Sequence, residues 1–477
     1  MIKPISAMFE KISKYVLIVL FNLSFMFTYG QRTQIIDRPK VDERIEILSI
    51  VFRLAGNREY NSDVFKRYID RVNEHYGPFK EHELITFVKK VKNENGIGYD
   101  AVMSMAIHLD NKFNLKQKNI EETLDKRWSK DNAVQFATLL QKFYKNSNSK
   151  RFFQENQALY KEVQKRFLPI YEHIDLGWYP KFYGKKPSEK FLIVNGLGNG
   201  GGNYGVSIKN PRGYKEVYAI MGTWSMDSLG MAKFPLQSYF PTLLHEFNHS
   251  FVNYLLEKDT TIFRDSGEKL YRVVKEKMNR QAYGSWQTML NEALVRAAVI
   301  KYQKDHNFTT EEIAKETNEQ LDRGFLWIER LVDELDNFDR QRDRYPTLEN
   351  YMPVLAKAYQ SYAADISSLD ATYEARRPKI ISFDGIQDGQ NTVNSTIGQL
   401  KINFDKPLIG QGRSFRGISK ESFPLIKGQR YSPDKKSVII DWELESNKTY
   451  EIIITGNAFR TADGIPMKDY YLKFSTK

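Results

Sequence analysis

Seven histidines are spread over 477 residues, and two of them stand four apart around a glutamate: His245-Glu246-Phe247-Asn248-His249. On a helix, residues four apart share a face, so both imidazoles can reach a single metal ion. Glu246, one residue along, can hold a metal-bound water as general base. The surrounding stretch LLHEFNHSFVNYLLEK is apolar at Leu243, Leu244, Phe247, Phe251, Val252 and Leu255. A polar trio in such a buried helix is costly without a partner. The chain has no cysteine, which excludes disulfides, thiolate metal sites and thiol nucleophiles. A metal here must be held by nitrogen and oxygen.

A catalytic zinc site takes three protein ligands and keeps one position open. The pattern HExxHxxGxxH would supply a third histidine, but Val252 and Leu255 stand where its glycine and histidine would be. An acidic ligand from a later helix is the alternative. Glu292, in TMLNEALVRA, lies 43 residues beyond His249 in an otherwise apolar helix. A buried carboxylate there needs a cation, and a metal can be that cation. The competing reading is an i,i+4 pair between Glu292 and Arg296 on a surface face. Leu290, Ala293, Leu294 and Ala297 turn that face inward and favour the ligand. Glu257, Asp259, Asp265, Glu268 and Glu276 are the other acids nearby, but they lie among polar residues.

HEFNH followed by LNEALVRA resembles the gluzincin metallopeptidases, whose zinc is held by two HExxH histidines and a glutamate in an NEA-type helix. The closest resemblance is to a family of secreted bacterial proteins with a gluzincin-like core, known as a domain of unknown function. It covers about residues 190–300. The resemblance implies Zn2+ held by His245, His249 and Glu292, Glu246 as general base, and a peptide or protein as substrate. Thermolysin-like gluzincins carry an aspartate four residues after the ligand glutamate. Here that position is Arg296, so support for the ligands must come from elsewhere, such as Asn248, Asn291 or a backbone carbonyl. In such peptidases a sheet precedes the HExxH helix, and its edge strand pairs with extended substrate. The run from Asn203 to Ile208 is the candidate edge, with Asn203, Tyr204 and Gly205 as candidate substrate contacts. The oxyanion donor is to be sought among Tyr283, Tyr351, Tyr359 and Arg296.

The elements that must position these residues follow from periodicity. From Asp42 to about Tyr171, segments such as ERIEILSIVFRLAG and NAVQFATLLQKFYK place apolar residues at three-to-four spacing, as helices do. Lys190–Val194, Tyr204–Ile208 and Glu216–Ile220 read as strands, the last two joined by the turn NPRG. The glycine-rich GLGNGGGNYG does not match a P-loop, because no Gly-Lys-Ser/Thr closes it and a strand follows. Helices resume at Phe240 and run to about Ser368. After Arg377, alternation at Leu400, Ile402 and Phe404, at Tyr450, Ile452 and Ile454, and at Leu472 and Phe474 indicates a β-sandwich. That stretch resembles the bacterial Ig-like domains at the ends of secreted and surface proteins.

The expected fold is α+β. Residues 31–376 form a mainly helical zincin-like catalytic domain, helical over 31–185, with a small sheet and the metal-site helices over 186–376. An all-β Ig-like sandwich occupies 377–477. Residues 1–30 read as a signal peptide, with Lys3, Lys11 and Lys14 before the apolar run Tyr15–Phe27 and small residues before a cut at Gln31. The run is shorter than the roughly 20 residues a spanning helix needs. The expected localisation is therefore export to the periplasm, cell surface or medium, with no integral span after signal removal. Of the net charge of +12, the mature chain keeps +10 without a long basic block, and no nucleic-acid partner is expected. The Ig-like domain offers a route to association with the cell envelope. The leading expectation is a secreted zinc-dependent peptidase. The other two are a non-catalytic surface protein with a degenerate peptidase domain and a zinc hydrolase acting on a non-peptide envelope substrate.

Overall fold

Local chemistry starts and stops the helices where the sequence predicts. Asp42 caps α1 (Glu43–Leu54) by accepting from the Arg44 N–H, and Ser129 caps α5 (Lys130–Asn146) through the Asn132 N–H. Between them lie α2 (Lys66–Tyr76), α3 (Glu83–Asn95) and α4 (Asp100–His108). Gly96 ends α3 in the left-handed region at φ +67°, a conformation that favours glycine. Helices α6 (Ser149–Glu155) and α7 (Gln157–Glu172) complete this run. The computed structural model describes residues 36–117, 119–185, 189–209, 213–258 and 260–477. The expected signal peptide and most of the NPRG turn lie outside the described residues. The protein is α+β and divides into two compact units, the described parts of Met1–Gly177 with Lys186–Leu243, and Trp178–Lys185 with Leu244–Lys477.

In the first unit a four-stranded sheet runs in the order β1 (Ile36–Lys40), β2 (Lys190–Gly196), β4 (Lys215–Gly222), β3 (Tyr204–Lys209). β2 is parallel to β1 and β4, and β3 is antiparallel to β4. β2, β3 and β4 fall where the sequence places them. β1 is an addition, because IDRPK shows no apolar alternation and Pro39 argues against a central strand. Its edge position tolerates that proline. Leu192, Val194, Tyr204, Val206, Ile208, Tyr218 and Ile220 enter one core with Ile45, Leu48 and Phe52 of α1. The glycine-rich stretch is a packed loop. The Leu197 N–H donates to Glu46 Oε1 at 2.7 Å and Ser49 Oγ to Asn199 Oδ1 at 2.6 Å. A Cβ at Gly222 would meet the carbonyl oxygens of Gly200 at 2.4 Å and Gly202 at 2.6 Å. The loop thus folds back on β4 only because position 222 has no side chain.

The second unit holds α8 (Trp178–Tyr183) and most of α9 (Leu236–Lys258), the helix that carries HEFNH. It continues with α10 (Arg264–Arg280), α11 (Trp286–Asp305), α12 (Thr310–Asp322), α13 (Ile328–Arg340) and α14 (Leu348–Arg376). α9 begins one turn before the expected Phe240, with Pro241 inside it at the cost of one helical hydrogen bond. α14 runs past Ser368 to Arg376, since no breaker precedes Pro378. Seven strands follow: β5 (Ile380–Asp384), β6 (Gln399–Phe404), β7 (Phe415–Gly417), β8 (Leu425–Tyr431), β9 (Ser437–Glu443), β10 (Thr449–Ile454) and β11 (Tyr470–Ser475). They form two antiparallel sheets, ordered β5-β6-β9-β8 and β11-β10-β7. Leu400, Ile402, Val438 and Trp442 from one sheet share a core with Tyr450, Ile452, Leu472 and Phe474 from the other. The connection between β10 and β11 is fastened to α12 and to the end of α14. Asn318 Nδ2 donates to the Asp463 carbonyl at 2.8 Å, and Arg377 Nη1 to the Pro466 carbonyl at 2.9 Å. Asp322 accepts from Tyr373 Oη at 3.2 Å and pairs with Arg377 and Arg460. Among the described residues, no helix is long and apolar enough to cross a membrane.

Glu46 makes a prediction. It is fully buried, and burial pushes its carboxyl from 4.5 up to about 7, against the lowering pull of the Leu197 N–H. A folded value above the unfolded one means the folded protein binds this proton more tightly. The associated stability is complete below about pH 4.5 and is lost as the pH rises to about 7, by roughly 3 kcal/mol. Glu46→Gln cannot ionise and should flatten the fall of Tm between pH 5 and 8, followed by thermal unfolding. An unchanged slope would show that Glu46 does not titrate in that window.

Candidate metal centre

Two helices of the second unit build the site. α11 is capped by Ser285, which accepts from the Thr288 N–H, and is buried almost all round from Met289 to Gln303. Such a helix lies inside a protein. α10 crosses it closely at Gly267, where a Cβ would meet the Trp286 ring at 2.5 Å. Asn248, inside the HEFNH motif, ties α9 to α11 by donating to the Val295 carbonyl at 3.4 Å. Its Oδ1 accepts from Tyr183 Oη at 3.0 Å. The amide that sequence nominated to support a ligand therefore aligns two helices.

Their facing sides bring His245, His249 and Glu292 together. The two Nε2 atoms are 3.1 Å apart. His245 Nε2 is 3.5 Å from Glu292 Oε2, and His249 Nε2 is 3.5 Å from Glu292 Oε1. Three donors, each about 2.1 Å from a tetrahedral ion, would be separated by about 3.4 Å. The observed triangle has that size, and its nitrogen and oxygen donors suit a divalent transition metal. Among the described residues these three form a group that could hold a metal ion. Asp265, Glu268 and Glu276 are exposed on α10, Asp259 lies outside the described residues, and the Glu257 side chain is not described.

The hydrogen bonding and burial of the histidines suit a cation. An amide oxygen only accepts, so His249 Nδ1, 3.1 Å from Asn253 Oδ1, carries the proton and leaves the Nε2 lone pair facing the triad. Burial pushes His245 well below its ordinary value, and the charges of Arg296, His249 and Arg323 add to the effect. Metal ligation requires neutral imidazoles. Glu246 is buried, and burial raises its carboxyl to about 7. His249 and Arg296 oppose that rise, and Glu292 adds to it.

Arg296 lies behind Glu292. Its Nη2 donates to Glu292 Oε2 at 3.1 Å and to Tyr283 Oη at 2.8 Å, and its Nη1 donates to Gln320 Oε1 at 2.9 Å. The guanidinium also sits 5.2 Å from the Phe325 ring centroid. The sequence offered an ion pair or a metal ligand as alternatives for Glu292. The structure makes the pair and places the same carboxylate against both histidines. Burial raises the Tyr283 phenol to about 12, with Arg296 pulling it down and Glu292 pushing it up. The other two tyrosines weighed as donors are committed elsewhere. Tyr351 donates to Glu334 at 2.5 Å, and Tyr359 packs on Phe263, Trp327 and Tyr362.

Two polar neighbours of the triad and its arginine escaped the sequence reading. Asn253 follows His249 by one helical turn, and that i,i+4 spacing was a usable signal. Gln320 comes from α12, and nothing local pointed to it. Asn291 Oδ1 is buried without a hydrogen-bond partner. In the first unit, β3 is an edge strand. There Asn203 Oδ1 accepts from the Gly222 N–H at 3.0 Å, Tyr204 is buried and Gly205 is exposed. Other histidines hold structure: His108 spans the Ser104 carbonyl and Thr123, and His75 meets the Ser147 carbonyl.

A family model described as Domain of unknown function (DUF4932) matches residues 39–358. The chain belongs to this family. His245, His249 and Glu292 all fall inside the DUF4932 region, and the seven C-terminal strands lie beyond it. No curated protein matches the chain. Among solved structures, surface layer protein SbsC, domains 1–6, matches at 13% identity with a TM-score of 0.17, over 50% of this chain and 37% of that one. The S-layer protein rSbsC(31-844) matches at 14% identity and the same TM-score, over 83% and 46%. The chain thus spans less than half the length of either, and the TM-score is too low to indicate a shared fold.

The hydrogen bond from His249 to Asn253 yields a test. Asn253→Ala frees the imidazole to rotate and to change tautomer, so metal affinity should fall roughly 10–100-fold. Competition with a chromophoric chelator measures it. Unchanged affinity would remove Asn253 from the site.

Proposed function

We propose that this protein is an exported zinc peptidase of the gluzincin type, with His245, His249 and Glu292 as zinc ligands and Glu246 as general base. The observation that carries the reading is the triangle of 3.1, 3.5 and 3.5 Å between the three donor atoms. A zinc ion held there would supply the Lewis acidity that polarises a carbonyl. Glu246 sits next to a ligand on the same helix and has an affinity for protons near neutrality. It takes a proton from the attacking water and returns it to the departing amine. Tyr283 accepts from Arg296 and keeps its own proton to donate to a developing oxyanion. An intact glutamate between the histidines supports catalysis over a purely adhesive role, which has no need of a base.

The mature protein follows from the same reading. The signal-like first thirty residues direct export, and the C-terminal strands act as a bacterial Ig-like module. Seven strands in two antiparallel sheets around one core support that assignment. The substrate is a peptide or protein, and envelope association runs through the Ig-like module.

Glu246→Gln separates binding from chemistry. The variant should keep one zinc per chain and lose cleavage of a peptide library by about 100-fold or more. Bound zinc with no cleavage by the wild type would sink the peptidase reading. Equal cleavage by both proteins would remove Glu246 as the base.

A further inference from the structure

Arg296 places a positive charge against Glu292, one of the three residues of the candidate metal centre. It is 8% exposed and its Nη2 lies 3.1 Å from Glu292 Oε2. The other contacts hold the guanidinium still. Gln320 on α12 anchors Nη1, Tyr283 shares Nη2, and the Tyr283 and Phe325 rings flank it. Glu292 is equally enclosed, with a side chain 10% exposed. An ionised carboxylate so buried is strongly destabilising unless a cation sits beside it. Arg296 is the guanidinium that the fold places against it, at ion-pair distance.

We infer that Arg296 is a positioning residue that holds the Glu292 carboxylate aimed at His245 and His249 before any metal ion arrives. This rests on the reading of the triad as a metal site and adds the reason it is preformed. Arg296 grips one carboxylate oxygen from behind, leaving the carboxylate to face the two Nε2 atoms at 3.5 Å each. A zinc ion would meet an acidic ligand that the fold has already ordered.

The test is thermal unfolding of the full chain, with chelator and with excess zinc, for wild type, Arg296→Met, Glu292→Gln and the double variant. Without zinc, Arg296→Met leaves Glu292 buried and unpaired, and its Tm should fall by about 6–15 °C. Zinc supplies the missing cation, so most of that loss should be recovered, and the zinc-induced rise should exceed that of the wild type. Removing both charges should cost less than removing Arg296 alone, because no uncompensated ion remains. The double variant decides the matter if Arg296→Met fails to fold. A double variant as damaged as Arg296→Met would overturn the inference, as would a Tm loss equal with and without zinc. Both would mean that Arg296 only fills space. A wild type whose Tm does not respond to zinc would instead bring down the metal-site reading, and this inference with it.

Discussion

One buried carboxylate governs this molecule. Glu292 is enclosed in a helix that is apolar on nearly every side, and its charge must be answered within hydrogen-bonding distance. Arg296 compensates it from behind, and the Nε2 atoms of His245 and His249 lie in front, where they and the carboxylate form a triangle fit for a small cation. The same constraint explains why α9 and α11 are tied together at Asn248 and Val295. A shift of one helix against the other would open the triangle.

Support for that constraint reaches far along the chain. α12 supplies Gln320 to Arg296 from one side and Asn318 and Asp322 to the C-terminal strands from another. The connection between β10 and β11 is therefore held by the helix that anchors the arginine. Exposed ion pairs such as Lys66–Asp70 add little, since screened surface pairs contribute about 1 kcal/mol or less. The buried pair is different, because losing one partner strands the other.

What could be read from the sequence was local. HEFNH declared itself because helical spacing alone puts two imidazoles on one face, and Glu292 because a lone acid stood among apolar residues. The C-terminal strands were legible from alternation, and three of the four strands of the first sheet from short apolar runs. β1 was not, since a five-residue edge strand with proline and charges carries no pattern. Sequence spacing presented the Glu292–Arg296 pair and the metal ligand as rivals, whereas a carboxylate has two oxygens and room for both. Gln320 and the fastening of α12 to the β10–β11 connection depend on tertiary contacts between segments distant in sequence, which no periodicity encodes. The glycine-rich loop showed what it was not, a phosphate cradle. Its positive role, lying flat against β4 at Gly222, depends on a long-range contact that no local pattern marks.

The central claim is that His245, His249 and Glu292 hold one metal ion. The most direct measurement is an anomalous difference map from zinc-loaded crystals, recorded at the zinc absorption edge. A single peak is expected about 2.1 Å from both Nε2 atoms and from a Glu292 oxygen. No peak there, or a peak bound to other side chains, would contradict it.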